Sequence, residues 1–259
     1  MLGVLLSIKR QCIKSEKQYK ANFYLMVLAG IITNAASLGV PFILFHNIPS
    51  ISGWSSNEIY LIMVYIIIAE GLNSVLFEGA WTIPEMVFSG KLDMLLIRPE
   101  SSLLQILCYG VGIHGIGNLI FGIPALIYLQ VTMNLTRPID IMLSILSVIC
   151  GTAICLSINL IFNSVAFWID TGGSTSITYA ISNLIQYARY PITIYPLVMQ
   201  IILCFVVPCA FMGMIPAMII TGKVSVIYAV AVIMIAALFM GLAVLVFNKG
   251  ITKYESAGM

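Results

Sequence analysis

Five stretches of this chain contain no Asp, Glu, Lys or Arg: residues 21–57, 101–136, 141–169, 190–222 and 224–248. Each exceeds the roughly 20 apolar residues needed to cross the hydrocarbon core of a bilayer. A sixth segment, 59–83, is apolar apart from Glu70 and Glu78. With 61% hydrophobic and 8% charged residues, the chain cannot cover itself with a water-facing surface. That excludes a soluble enzyme, a nucleic-acid binder and a disordered protein. A net charge of +2 gives no attraction for polyanions, so no nucleic-acid partner is expected and the chain's surroundings are membrane lipid.

Barrel strands would be short, alternating and rich in lumen-facing polar residues. These segments are long and uniformly apolar, and a helix satisfies its backbone hydrogen bonds internally in lipid. The expectation is an all-α integral membrane protein with six transmembrane helices near 22–45, 59–83, 103–131, 139–168, 193–214 and 225–247. Orientation follows from the basic residues. With the N-terminus in the cytoplasm, the inside holds Lys9, Arg10, Lys14, Lys17, Lys20, Lys91, Arg98, Arg189, Lys249 and Lys253. The outside keeps Arg137 and Lys223. Both termini are expected in the cytoplasm.

Residues 1–20 do not read as a secretory signal, because their apolar residues precede the basic ones. Arg10, Lys14 and Lys17 fall on one helical face and Leu2, Leu5, Leu6 and Ile13 on another. This predicts an amphipathic helix on the inner leaflet; a frayed basic tail is the alternative. The six cysteines form no CxxC pair, and neither a disulfide framework nor a metal site is expected. No GxxxxGK[ST] loop, HExxH or GxSxG occurs. The chain is therefore expected not to be an enzyme and to bind no cofactor of its own. Active transport would draw its energy from a partner or an ion gradient.

The segment Ser89-Gly90-Lys91-Leu92-Asp93-Met94-Leu95-Leu96-Ile97-Arg98-Pro99 resembles the cytoplasmic loop of ABC type-2 exporter permeases, in the small-permease branch. The Trp168-Ile169-Asp170 exit, the prolines at 191, 196, 208 and 216, and the tail Tyr254-Glu255-Ser256-Ala257-Gly258 fit the same branch. This resemblance implies that residues 1–259 form one ABC type-2 transmembrane domain, working with a second permease, heteromeric by preference, and two copies of an ATPase subunit that carries ATP and Mg. It implies export of a drug, peptide or lipid-like amphipathic substrate across a bacterial inner (cytoplasmic) membrane. The pathway would lie between the two permeases. Cargo itself is not fixed by fold.

Residues 89–99 then read as the coupling loop. Gly90 opens a turn, Pro99 stops a helix, and Leu92, Leu95 and Leu96 share an apolar face flanked by Lys91, Asp93 and Arg98. Such a helix can dock into a groove on a soluble ATPase; an ordinary loop with leucines in the headgroups is the bland alternative.

Glu70 lies about 17 Å into the second span, near mid-bilayer. A carboxylate there must be protonated, paired or hydrated, so it reads as pathway or intramembrane polar machinery. His114, among the glycines at 110, 112, 115 and 117, has a similar depth. A Glu70–His114 pair would support a proton-coupled secondary transporter, the second functional reading; a non-transporting scaffold is the third. Residues 208–222, rich in Pro and Gly and uncharged, predict a re-entrant extracellular hairpin between spans five and six, with a proline-kinked fifth span as the alternative.

The topology has a direct check. In intact cells, cysteines placed by Leu135→Cys and Thr221→Cys are expected to react with an impermeant maleimide. Those from Lys91→Cys and Lys253→Cys should react only after permeabilisation. Labelling of position 253 from outside would overturn the six-span arrangement.

Overall fold

The computed structural model describes residues 9–14, 19–97, 101–169, 179–180 and 183–254. Among these there is no strand, and five helical segments are long and apolar enough to cross a membrane. They contain α1 (Lys20–Asn47), α2 (Ser56–Phe77), α6 (Ile113–Thr132), α7 (Pro138–Asn163) and α10 (Tyr228–Ile251). The second crossing continues past α2 through a 3₁₀ turn at Glu78–Ala80 into α3 (Ile83–Phe88). Short helices α4 (Lys91–Leu96) and α5 (Ser102–Leu107) follow, and α8 (Leu197–Ile201) and α9 (Met214–Ile220) precede the last span.

The central element is α2. Every residue from Leu61 to Ala69 is buried, as expected for a helix that is apolar all round. Its Ser55 start is fixed by a capping box, Glu58 accepting from the Ser55 amide at 2.8 Å. On α6, Gly115 and Gly117 let the helix press against its neighbours. A Cβ at Gly115 would stand 2.8 Å from the Gly71 carbonyl oxygen of α2, and one at Gly117 would collide with the Val27 carbonyl of α1. Small residues are what allow such contacts in lipid, where no hydrophobic drive separates helix from acyl chain.

Two ends of the bundle can be told apart. One holds Lys9, α3, α4, α5, the end of α7 and the end of α10, with Phe167 against Phe247 and Tyr254. At the other, Lys223 bonds Glu58 at 2.8 Å and lies over the Trp54 ring, whose Nε1 donates to Thr193.

Two expected spans differ from the structure. The helix expected at 103–131 is broken between α5 and α6. Gly110 takes φ +77° there, and the Gly112 amide donates to the Ser74 carbonyl at 3.1 Å, a proximity that any side chain on Gly112 would block. Nor is 193–214 one regular span. Leu197–Val206 and Cys209–Ile220 are bent 72° apart around Pro208. The pair starts beside Thr193 and returns to Lys223, both at the Trp54 end, while Gly213 in its second arm reaches Ile62 and Ile66 of α2. Both arms thus enter and leave at one end, the path of a re-entrant hairpin. The span expected at 193–214 is therefore not one continuous helix; residues 170–178 and 181–182, which precede it, lie outside the described residues.

Of the expected N-terminal amphipathic helix, residues 9–14 are described and are helical. Lys9 Nζ donates to the Gly110 carbonyl at 2.6 Å and to the Val75 carbonyl at 3.4 Å, capping oxygens at the helix break.

Gly117→Ala is expected to destabilise the chain by about 1–3 kcal/mol, since Val27 backbone cannot yield as a flexible side chain would. Gly39→Ala, also helical but with open space around it, should be neutral. Thermal unfolding of the two detergent-purified variants compares them directly.

Candidate functional site

The α1–α2–α6 packing leaves a cavity of about 430 Å³ lined by polar groups at the level of the spans. From α2 come Glu70, Asn73 and Ser74, and beyond it Glu78 and Trp81. Their spacing of three and four residues puts them on one face of the helix. Asn34 of α1, His114 and Asn118 of α6, Asn159 of α7, and Gln186 and Arg189 complete the polar lining.

Glu70 is the strongest electrostatic feature. Its Oε2 accepts from Arg189 Nη2 at 2.6 Å and its Oε1 from Gln186 at 3.4 Å. Both side chains are largely buried, Arg189 at 9% and Glu70 at 19% exposure. Arg189 was counted from the sequence among the inner-face basic residues; it is instead the partner that allows a carboxylate inside the bundle. The other eleven basic-residue assignments, nine inside and two outside, do not depend on it.

His114 does not bond Glu70. Its Nε2 lies 3.2 Å from Ser74 Oγ, and Ser74 Oγ donates to Glu78 Oε2 at 2.8 Å. Because the hydroxyl proton is given to Glu78, the imidazole must donate Nε2–H to the same oxygen. The Glu70–His114 pair considered for a proton relay is thus replaced by two separate networks, Glu70–Arg189 and His114–Ser74–Glu78. A third polar contact joins α1 to α6, Asn34 Nδ2 donating to Asn118 Oδ1 at 2.7 Å. Two buried atoms in the cavity wall, Asn73 Oδ1 and Arg189 Nε, have no hydrogen-bond partner among the described residues.

Residue spacing puts Glu78 and Glu85 toward the inner headgroups, where each is expected to be solvated or paired with Lys91 or Arg98. Glu85 does pair with Lys91, at 3.0 Å, and that hydrogen bond raises the Lys91 pKa. Lys9 approaches Glu78, but burial holds the Lys9 ammonium below its ordinary pKa.

The coupling segment needs one correction. Gly90 takes φ +65°, the left-handed turn that starts α4. Of the three leucines expected to face a partner, Leu92 is fully buried and Leu95 is 7% exposed. They pack with Ile83, Met86, Ile106 and Phe247 of the chain's own core, because α4 folds back beneath the spans. The outward apolar surface is Met94, Leu96 and Ile97, beside Phe88. Arg98 and Pro99 lie outside the described residues. Lys91 and Asp93, both half-buried, stand on the same short helix.

Arg189, Asn73 and Asn159 were missed in the sequence. The available signal was an amide or guanidinium inside an apolar run, repeated on several spans at similar depth.

Comparison with known proteins gives one result. The family model described as ABC-2 family transporter protein matches residues 31–258. No curated protein and no solved structure matches the chain.

Removing one member of the buried ion pair leaves the other charge uncompensated, at a cost of about 3–5 kcal/mol. Arg189→Ala should therefore lower thermal stability sharply, while Glu70→Leu combined with Arg189→Met recovers most of the loss. Equal melting temperatures for Arg189→Ala and wild type would show that the pair is not formed in the membrane.

Proposed function

The chain belongs to the ABC-2 family of transporter proteins, and we propose that within that family it is the permease subunit of an exporter whose ATP is hydrolysed by a separate subunit. It is a multi-pass transmembrane component of an ABC transporter, a transport part and not a catalytic one. The family implies an ATPase partner.

The α4 segment supports the exporter role most directly. It is a short helix at the end of the bundle where Lys9 and Tyr254 also lie, and that end carries most of the basic residues. The positive-inside rule supports reading that end as cytoplasmic, and the branch resemblance supports a bacterial inner membrane. Met94 and Ile97 are 63% and 83% exposed, an apolar pair projecting from a helix whose other face is locked into the core. An ATPase groove receiving such a helix is the helix-in-groove mode of recognition. In the working complex two ATPase copies would bind ATP and Mg and close, and each would pull on the α4 helix of one permease. A second permease chain, heteromeric by the branch resemblance, would complete the pathway. An amphipathic drug, peptide or lipid-like molecule is the substrate class.

The secondary-transporter reading loses its structural motive, since Glu70 is engaged by Arg189 and does not meet His114.

The docking assignment separates two kinds of variant. Ile97→Asp and Met94→Asp should leave the chain monodisperse and reduce co-elution of the ATPase, because charge enters an apolar contact on the surface. Leu95→Asp should instead destabilise the chain itself, because that side chain is buried. Full ATPase co-elution and unchanged substrate-stimulated hydrolysis with Ile97→Asp would refute the docking role.

A further inference from the structure

The cavity between α1, α2 and α6 has an imbalance that its own side chains do not resolve. Among the fixed charges lining it, Glu70 and Glu78 face one guanidinium, Arg189. Arg189 bonds Glu70 at 2.6 Å, whereas Glu78 accepts from the Ser74 hydroxyl at 2.8 Å and makes no salt bridge among the described residues, Lys9 approaching it from outside the cavity. The nearest other cation, Lys9, does not line the cavity and donates to the Gly110 and Val75 carbonyls. Five residues before Glu78 and lining the same cavity, Asn73 is 6% exposed and its Oδ1 accepts no hydrogen bond from the described residues. Trp81 adds an indole to the same wall. A carboxylate with capacity to spare, an unfilled buried acceptor and an aromatic ring together specify a ligand that is cationic, carries N–H donors and tolerates an apolar surface.

We propose that this cavity binds the protonated amine of an amphipathic substrate, with Glu78 as counter-charge, Asn73 Oδ1 as N–H acceptor and Trp81 against the cationic group. Arg189 Nε, also without a partner, donates to a hydroxyl or carbonyl oxygen elsewhere on the same molecule. The apolar part of the ligand extends toward lipid past α1, whose Leu25, Leu28 and Ile32 are exposed. This names the substrate class for the export reading and rests on it. It differs from a pathway confined to the interface between two permeases, because the amine is gripped inside this chain.

The test is calorimetric titration of the detergent-purified full chain with three shape-matched probes at neutral pH: phenylbutylammonium, phenylbutanol and phenylbutyrate. The ammonium should bind about tenfold or more tightly than the alcohol, the ratio for one hydrogen-bonded charge, and the carboxylate should bind most weakly. Glu78→Gln should bring the ammonium down to the level of the alcohol and leave the alcohol unchanged. Trp81→Ala should weaken the ammonium several-fold. Equal affinities of ammonium and alcohol for the wild-type chain, or a preference that survives Glu78→Gln, would overturn the proposal; the wild-type comparison needs no variant to fold. ATPase co-elution is measured separately without ligand. Absence of the amine preference in the wild-type chain with the ATPase still co-eluting refutes this inference alone, and a wild-type chain that shows the preference but never co-elutes with an ATPase refutes the export reading.

Discussion

Lipid offers an apolar side chain nothing that another helix does not, so these spans associate through what backbone proximity permits. The glycines of α6 supply that proximity. Gly115 brings the helix onto Gly71 and Ser74 of α2, and Gly117 brings it onto Val27 and Gly30 of α1. Remove this seam and the three helices separate by a side chain's width. Asn34 would then not reach Asn118, nor His114 reach Ser74, since those bonds are 2.7 and 3.2 Å long. The same close approach turns a polar stripe on α2 inward. In a bilayer, a stripe holding Glu70 and Glu78 is tolerable only when walled off from acyl chains.

The break before α6 follows from the same rule. A chain at membrane depth can leave the helix only where other groups take over its hydrogen bonds. Here the Gly112 amide goes to Ser74, and the Gly110 carbonyl takes the Lys9 ammonium. The N-terminal segment is thus chemically tied to the third crossing, and the tie uses a charge that an inner-leaflet helix would otherwise leave in the headgroups. The hairpin formed by Leu197–Val206 and Cys209–Ile220 is accommodated in another way: Val207, Cys209 and Ala210 at its bend are buried, and Met212 and Gly213 just beyond pack against Gly151, Ile62 and Ile66.

Much of this was readable in advance because it depends on composition over long windows. Segment length and charge asymmetry fix the class of fold and the approximate places of the spans that hold α1, α2, α7 and α10. Proline and glycine content marks residues 208–222 as irregular. What could not be read depends on which residues meet. Arg189 stands at the edge of an apolar run, where the positive-inside rule assigns it to headgroups; only the placement of residues 183–189 beside the middle of α2 reveals it as the Glu70 partner. Likewise, three leucines at helical spacing define an apolar face for α4, but not whether that face is turned toward the spans or away from them. Leu92 and Leu95 turn inward because Gly90 reverses the chain under α3.

That reversal has a mechanical consequence for the proposed coupling. Leu92 and Leu95 share one cluster with Ile83 and Met86 of α3, Ile106 of α5, Leu160 of α7 and Phe247 of α10. A helix held to its neighbours only by a loop would absorb displacement in the loop's torsions. One keyed into a close-packed core transmits it, since such cores resist compression. Force applied at Met94 and Ile97 therefore reaches the ends of the second, fourth and sixth crossings together. It also reaches α5, which leads directly into the break at Gly110. Lys9, the Gly110 carbonyl and the Ser74–Glu78 pair meet within that break, so the polar cavity adjoins the elements that a partner at α4 would move.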